Sequence, residues 1–193
     1  MQRMWIVLAM LAGMAGQGMA DERKGYEMPA YTIEATEGTR EVRSYGPRMV
    51  AEVTVQGDRK AAINTGFRVL AGYIFGGNAG GNKIAMTVPV DQADQGGGVW
   101  TVRFTMPSEF TADSLPKPDD DSIILRPLPP ARMVAESFSG LPDSDDMAAR
   151  AAALADWAKA RGLTVTGGPV YSFYDAPWSL PWNRRNEVAF ALE

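Results

Sequence analysis

Arg48, Met49, Val50, Ala51 and Glu52 recur as Arg132, Met133, Val134, Ala135 and Glu136. Identity over five residues within one chain of 193 residues is a strong constraint on the fold. The surroundings agree in kind. Each copy follows a proline, Pro47 or Pro130, and runs through a strand-like stretch to a glycine, Gly57 or Gly140. Each is then followed by a polar start and a helical pattern. Two halves of similar order are expected. Glu52 and Glu136 fall at equivalent places in them, which duplication alone explains better than paired acid/base work.

In the first half Asp58 is suited to cap a helix. Ile63, Phe67, Leu70 and Ile74 then form one apolar stripe, interrupted by Gly66, which either permits a close neighbour or is tolerated. In the second half Asp143 or Ser144 caps a helix running to about Arg161, with Met147, Ala151, Leu154 and Ala158 as its stripe and Gly162 as its stop. Strand periodicity marks 99–105, where Trp100, Val102, Phe104 and Met106 alternate with more polar residues. Further strands are expected at 31–35, 41–45, 49–55, 84–88, 123–125, 170–174 and 188–192. About eight or nine strands and two main helices describe an α+β domain with a mainly antiparallel sheet.

Composition narrows the chemistry. There is no cysteine and no histidine. Disulfides, thiol nucleophiles, Cys/His zinc sites, Ser-His-Asp triads and His-ligated haem are therefore excluded. A net charge of −4 without a basic block argues against nucleic-acid binding, because phosphate neutralisation supplies most of that affinity. No convergent catalytic set is visible, and the chain is expected not to be an enzyme.

Residues 1–20 read as an export signal: Arg3, an apolar run from Met4 to Met14, and Gly18 and Ala20 at the −3 and −1 positions of a cleavage site. The chain is expected to be exported, to the periplasm if its source is Gram-negative. Residues 21–30 are an extension of the mature chain, and 31–193 form one domain.

The glycine-rich 76–83 stretch lacks the ending of a phosphate loop and precedes a strand, so it reads as a flexible connection or lid. Asp119, Asp120 and Asp121 read as a solvated turn. The 174–188 stretch is the most informative. Trp178 and Trp182, with two prolines, are expected to pack on the body or line a cleft. Arg184 and Arg185 are expected either to meet a ligand's carboxylates or to pair internally with Glu187 or Asp175.

Three segments resemble the SOUL haem-binding proteins. They are Lys83 through Val90, with Met86 and Pro89; Val102 through Pro107; and Tyr174 and Asp175 with Pro177 and Arg184, Arg185, Asn186, Glu187 and Val188. The resemblance runs from about Tyr31 to the C-terminus. It implies a distorted antiparallel β-barrel of two pseudo-symmetric strand–helix–strand–strand halves, with the helices outside. It also implies haem or another tetrapyrrole as a small hydrophobic ligand, held in an apolar groove beside the first helix.

The matching positions are Phe67, Leu70, Ala71 and Ile74 on that helix and Met86 on the adjoining strand. Asn64, Gly72, Ser179 and Leu180 stand where the family can place basic residues, which leaves Arg68, Lys83, Arg184 and Arg185 to meet propionates. Iron ligation falls to Met86, Tyr73 or another tyrosine, or is absent. Two other readings stay open. In one, Trp178 and Trp182 contact a protein or membrane surface. In the other, the chain is an enzyme acting on a small amphiphile or tetrapyrrole.

Overall fold

The computed structural model describes residues 22–193. The expected export signal at 1–20 lies outside them. The elements in chain order are β1 (Glu22–Arg23), β2 (Tyr26–Glu27), β3 (Tyr31–Glu37), β4 (Arg40–Tyr45), β5 (Arg48–Gln56), α1 (Arg59–Ile74), β6 (Val90–Asp94), β7 (Val99–Thr105), β8 (Ile124–Leu128), β9 (Ala131–Phe138), α2 (Ser144–Ala160), β10 (Val165–Phe173) and β11 (Asn186–Leu192).

Both helices begin where a carboxylate accepts from free backbone N–H groups. Asp58 accepts from Ala61 N at 3.1 Å, and Asp143 from Asp145 N at 2.9 Å. Gly162 closes α2 with φ +70°, and Leu163 N donates to Ala158 O at 3.0 Å. Met147, Ala151, Leu154 and Ala158 are buried, as their spacing predicts. The buried side of α1 is instead Ala62, Gly66, Leu70, Tyr73 and Ile74. It is rotated from the expected stripe because Gly66 lets the helix lie directly on β7. A Cβ there would stand 2.6 Å from Val102 Cγ2.

Nine strands form one antiparallel ladder in the order β3-β4-β9-β11-β10-β6-β7-β5-β8. Outward from the β10–β6 pairing, one side runs β11, β9, β4, β3 and the other β7, β5, β8. The strand leading into each half pairs with the other half: β4 precedes β5 but pairs with β9, and β8 precedes β9 but pairs with β5. The fold is thus α+β with two helices and a large antiparallel sheet. The expected barrel is not closed. Among the described residues no ladder joins β3 to β8.

Helix α1 packs on β5 and β7, and α2 on β9, β10 and β11. The first core cluster gathers Ala51, Val53, Leu70, Ile74, Val102 and Phe104, and the second gathers Val134, Met147, Leu154, Tyr171, Val188 and Phe190. Both therefore lie on the helix side of the sheet, and the alternate residues face away.

The two five-residue copies differ here in phase. Glu52 stands opposite Arg103 and bonds to Arg103 and Arg126, on the side away from the helices. Glu136 stands opposite Val188, on the helix side, and pairs with Arg40 and with Arg150 of α2. A strand has a period of two, so a one-residue difference in phase reverses every side chain. The two glutamates are equivalent in sequence and opposite in space.

The expected strand at 84–88 does not form. Ile84 N donates to Ile74 O and Val88 N to Glu27 O, so this backbone is bound to the end of α1 and to the N-terminal segment. Its only bridge is Thr87 to Glu27. Strand β6 lies just beyond it. The 76–83 stretch is a pinned connection. Asn78 is 3% exposed, donates to Tyr73 O and Asn82 O (both 2.8 Å) and accepts from Asn82 N at 3.0 Å.

Candidate functional site

Beside α1 the structure separates residues that the sequence grouped. Leu70 and Ile74 are 0% and 1% exposed and belong to the core. Phe67 is 39% exposed and meets Phe104 edge-on, with ring centroids 5.5 Å apart. Ala71 and Met86 are half-buried, and Arg68 and Lys83 are exposed. Phe75, just past the helix, is 63% exposed. Sequence reasoning missed it, although Phe67, Ala71 and Phe75 recur at i, i+4 and i+8, which places them on one helical face.

Of the oxygen or sulfur atoms considered for iron, Tyr73 OH already donates to Pro116 O at 2.9 Å, on a side chain sealed in the core. Met86 packs against that same core. The surface beside α1 therefore suits the apolar face of a ring and a carboxylate at Arg68. Its donor set does not suit an axial bond to iron.

The C-terminal segment departs further from expectation. Trp178 is 86% exposed and Trp182 70%, so neither packs on the body nor lines the clefts described below. Nearby, Leu180 and Leu141 are also exposed. Gly140 N donates to Pro181 O at 3.0 Å, which holds the Leu141 turn against this segment. Arg184 spends its donors on Ser179 O and Pro177 O. Arg185 pairs with Glu187 at 2.6 Å. Arg185 thus makes the internal pair with Glu187, whereas Arg184 bonds backbone carbonyls rather than Glu187 or Asp175.

The helix-free face of the sheet carries a row of facing polar residues across six strands: Glu52, Arg103, Asp91, Ser172, Glu187 and Ser137. Glu187 is the most heavily bonded. Burial alone would raise its pKa, but Arg43, Arg185 and the Tyr174 hydroxyl outweigh that and hold it at about 2. Tyr174 is pushed well above the usual phenol range by burial and by the Glu187 charge. Asp91 is raised by burial despite a 2.6 Å bond from Ser172 Oγ.

Two cavities share Tyr31 and Arg48 in their linings. One, of about 50 Å³, lies among Arg48, Asp91, Tyr174 and Glu187. The other is an open cleft of about 780 Å³, walled by Tyr31 of β3, Pro127 of β8, Met49, Met106 and Phe110. Residues from both ends of the ladder thus share one cleft. None of Arg48, Tyr31, Asp91 or Met106 was read from the sequence as a binding residue. The available signal was Arg48, a charge on a strand phase that also carries the buried Val50.

The chain is a two-helix α+β domain with an open cleft large enough for a small molecule. The family model described as SOUL heme-binding protein matches residues 26–191, and the chain belongs to this family. Its curated relatives include "Heme-binding protein 2" of Mus musculus, 28% identical over 90% of this chain and 89% of that protein. "Heme-binding protein 2" of Homo sapiens is 30% identical over 78% and 77%. Among solved structures, the EcmrR C-terminal domain matches with a TM-score of 0.61 at 17% identity, covering 84% of this chain and 98% of that one. A hydrolase from Listeria innocua matches with a TM-score of 0.57 at 12% identity, covering 83% and 94%. These two share the fold alone.

Proposed function

We propose that the chain is a non-enzymatic binder of haem or a related tetrapyrrole, held in the apolar groove beside α1, and that it works after export. Family membership supports the ligand class. The observation that carries the location is the outward apolar face of Phe67, Ala71 and Phe75 next to the exposed Arg68. The ring lies on the apolar side chains and a propionate meets Arg68. Burying about 300 Å² of apolar ligand surface supplies about 7 kcal/mol before the costs of association, so without an iron bond the affinity is micromolar at most.

The test is a hemin titration followed at the Soret band, with iron-free protoporphyrin as control. Saturable one-to-one binding of both rings, weakened by Phe67→Asp, is the expected result. A strong preference for the iron form would refute the apolar account. No saturable change would refute haem as the ligand.

A second reading is favoured by the exposure of Trp178, Trp182, Leu180 and Leu141 on one connected pair of loops. This segment is a contact for a protein or membrane surface. Trp178→Ser with Trp182→Ser abolishes binding to vesicles or a partner and leaves the hemin titration unchanged. Loss of hemin binding in that variant would contradict the separation of the two surfaces.

A further inference from the structure

We propose that the open cleft lined by Arg48, Met49, Met106 and Phe110 is a second ligand site, which takes an amphiphilic carboxylate with its headgroup on Arg48.

The other arginines of the helix-free face are committed. Arg43 and Arg185 pair with Glu187, and Arg103 and Arg126 pair with Glu52. Arg48 differs from all four. Among the described residues it pairs with no carboxylate, and its Nη1 is buried without a hydrogen-bond partner. Its guanidinium lies over the Tyr45 ring, 4.9 Å from the centroid. Burial lowers its pKa, the mark of a cation lacking compensation. A half-buried charge without a carboxylate and a buried donor left unmade are both costly, so such a group is retained at a cost to the fold.

The place of Arg48 supplies a reason for that cost. It lines both the cleft of about 780 Å³ and the cavity of about 50 Å³ behind it, so it stands where the two adjoin. The larger volume lies within the range of small-molecule sites. Its walls include Met49, Met106, Phe110 and Pro29, which suit an aliphatic or aromatic body.

A carboxylate is the headgroup that answers a guanidinium with parallel hydrogen bonds. Of the acidic neighbours, Asp91 is bonded by Ser172 Oγ and Glu187 is paired with Arg43 and Arg185, both in the smaller cavity, while Glu27 on the cleft wall accepts from Ser108 N at 2.8 Å. The apolar walls select an amphiphile over a small inorganic anion. Neither wall nor headgroup site includes a residue of the α1 groove.

The experiment is calorimetric titration of the full chain with laurate below its micellar concentration, against dodecyltrimethylammonium, which has the same tail and the opposite charge. Laurate is expected to bind one-to-one, and the ammonium at least about ten-fold more weakly. Arg48→Gln should weaken laurate by at least about ten-fold while leaving the ammonium unchanged. Asp91→Asn should tighten laurate, and Phe67→Asp should leave it unchanged. Ala112→Trp, at an exposed position of the cleft wall, should block both amphiphiles, and it carries the test if Arg48→Gln does not fold. Equal binding of the two amphiphiles, unchanged laurate affinity in Arg48→Gln, or no saturable binding would each overturn the proposal. Loss of laurate binding in Phe67→Asp would place the amphiphile in the α1 groove and overturn it too.

Discussion

Asp91 and Glu187 flank Ser172 on one row of the sheet, yet their pKa values move in opposite directions. Both are buried carboxylates. Glu187 accepts from Arg43 Nη1 and Nη2 at 2.9 Å each, from Tyr174 OH at 2.7 Å and from Ser137 Oγ at 2.9 Å. Asp91 accepts from Ser172 alone among these groups. Burial favours the neutral form in both, and only Glu187 has enough positive partners to reverse it.

Glu187→Ala should therefore destabilise the protein by about 3 kcal/mol, because buried Arg43 loses the carboxylate bonded by its Nη1 and Nη2 and keeps only the Glu41 carboxylate, at 2.7 Å from Nε. Replacing Arg43 and Glu187 together with apolar residues should cost less than the single change. Urea denaturation of the three variants checks this.

Acid should remove the same contribution. The folded-state pKa of Glu187, about 2, lies below its ordinary value of 4.5. Its stabilisation is present above the ordinary value and lost as pH falls through the folded one. Stability measured between pH 5 and pH 2 should fall more steeply in the natural protein than in Glu187→Gln.

Asp91 has the reverse sign. Its folded pKa is raised above 3.8, so it favours folding below that value and loses the contribution as pH rises. Asp91→Asn should match or exceed the natural protein in stability at pH 7, with the difference shrinking below about pH 4. Denaturation midpoints at the two pH values decide it.

Two glycines of α1 should respond oppositely to alanine. At Gly66 the new methyl group meets Val102 Cγ2 at 2.6 Å and Val102 Cβ at 2.8 Å. Overpacking of about 1–3 kcal/mol should outweigh the helix-propensity gain of about 1 kcal/mol. At Gly72 nothing lies within 4 Å, and Gly72→Ala should stabilise by about 0.5–1 kcal/mol. Thermal unfolding of both variants tests this.

Asn78→Ala removes three hydrogen bonds and leaves Tyr73 O and Asn82 N without their partner. A loss of about 2–3 kcal/mol is expected. Faster hydrogen exchange at the Asn82 amide would show that the connection beside α1 is held by this side chain.

Much of the fold was legible because it follows from local chemistry. Asp58 and Asp143 cap, Gly162 stops, and the alternation at 99–105 requires a strand with one apolar face. The segment at 84–88 misled because its β-like residues bond to the end of a helix, a partner that no local pattern reveals. The 178–182 segment misled for a different reason. Two tryptophans are costly to expose, which predicts burial, but the loop that carries them is braced by Arg184 on its own carbonyls and turns them outward.

Alone, the sequence determined the two helices and most of the strands, the absence of thiol and imidazole chemistry, and a resemblance strong enough to indicate the ligand class. Those depend on residue type and short-range spacing. The tertiary structure decided which side of the sheet each strand presents. It placed Glu52 and Glu136 on opposite faces and withdrew Leu70 and Ile74 into the core. It also left Arg48 half-buried at a cleft without a carboxylate partner, its Nη1 buried and unbonded. A one-residue change in strand phase reverses every side chain, and burial depends on what packs from across the sheet, so neither is written in the local pattern.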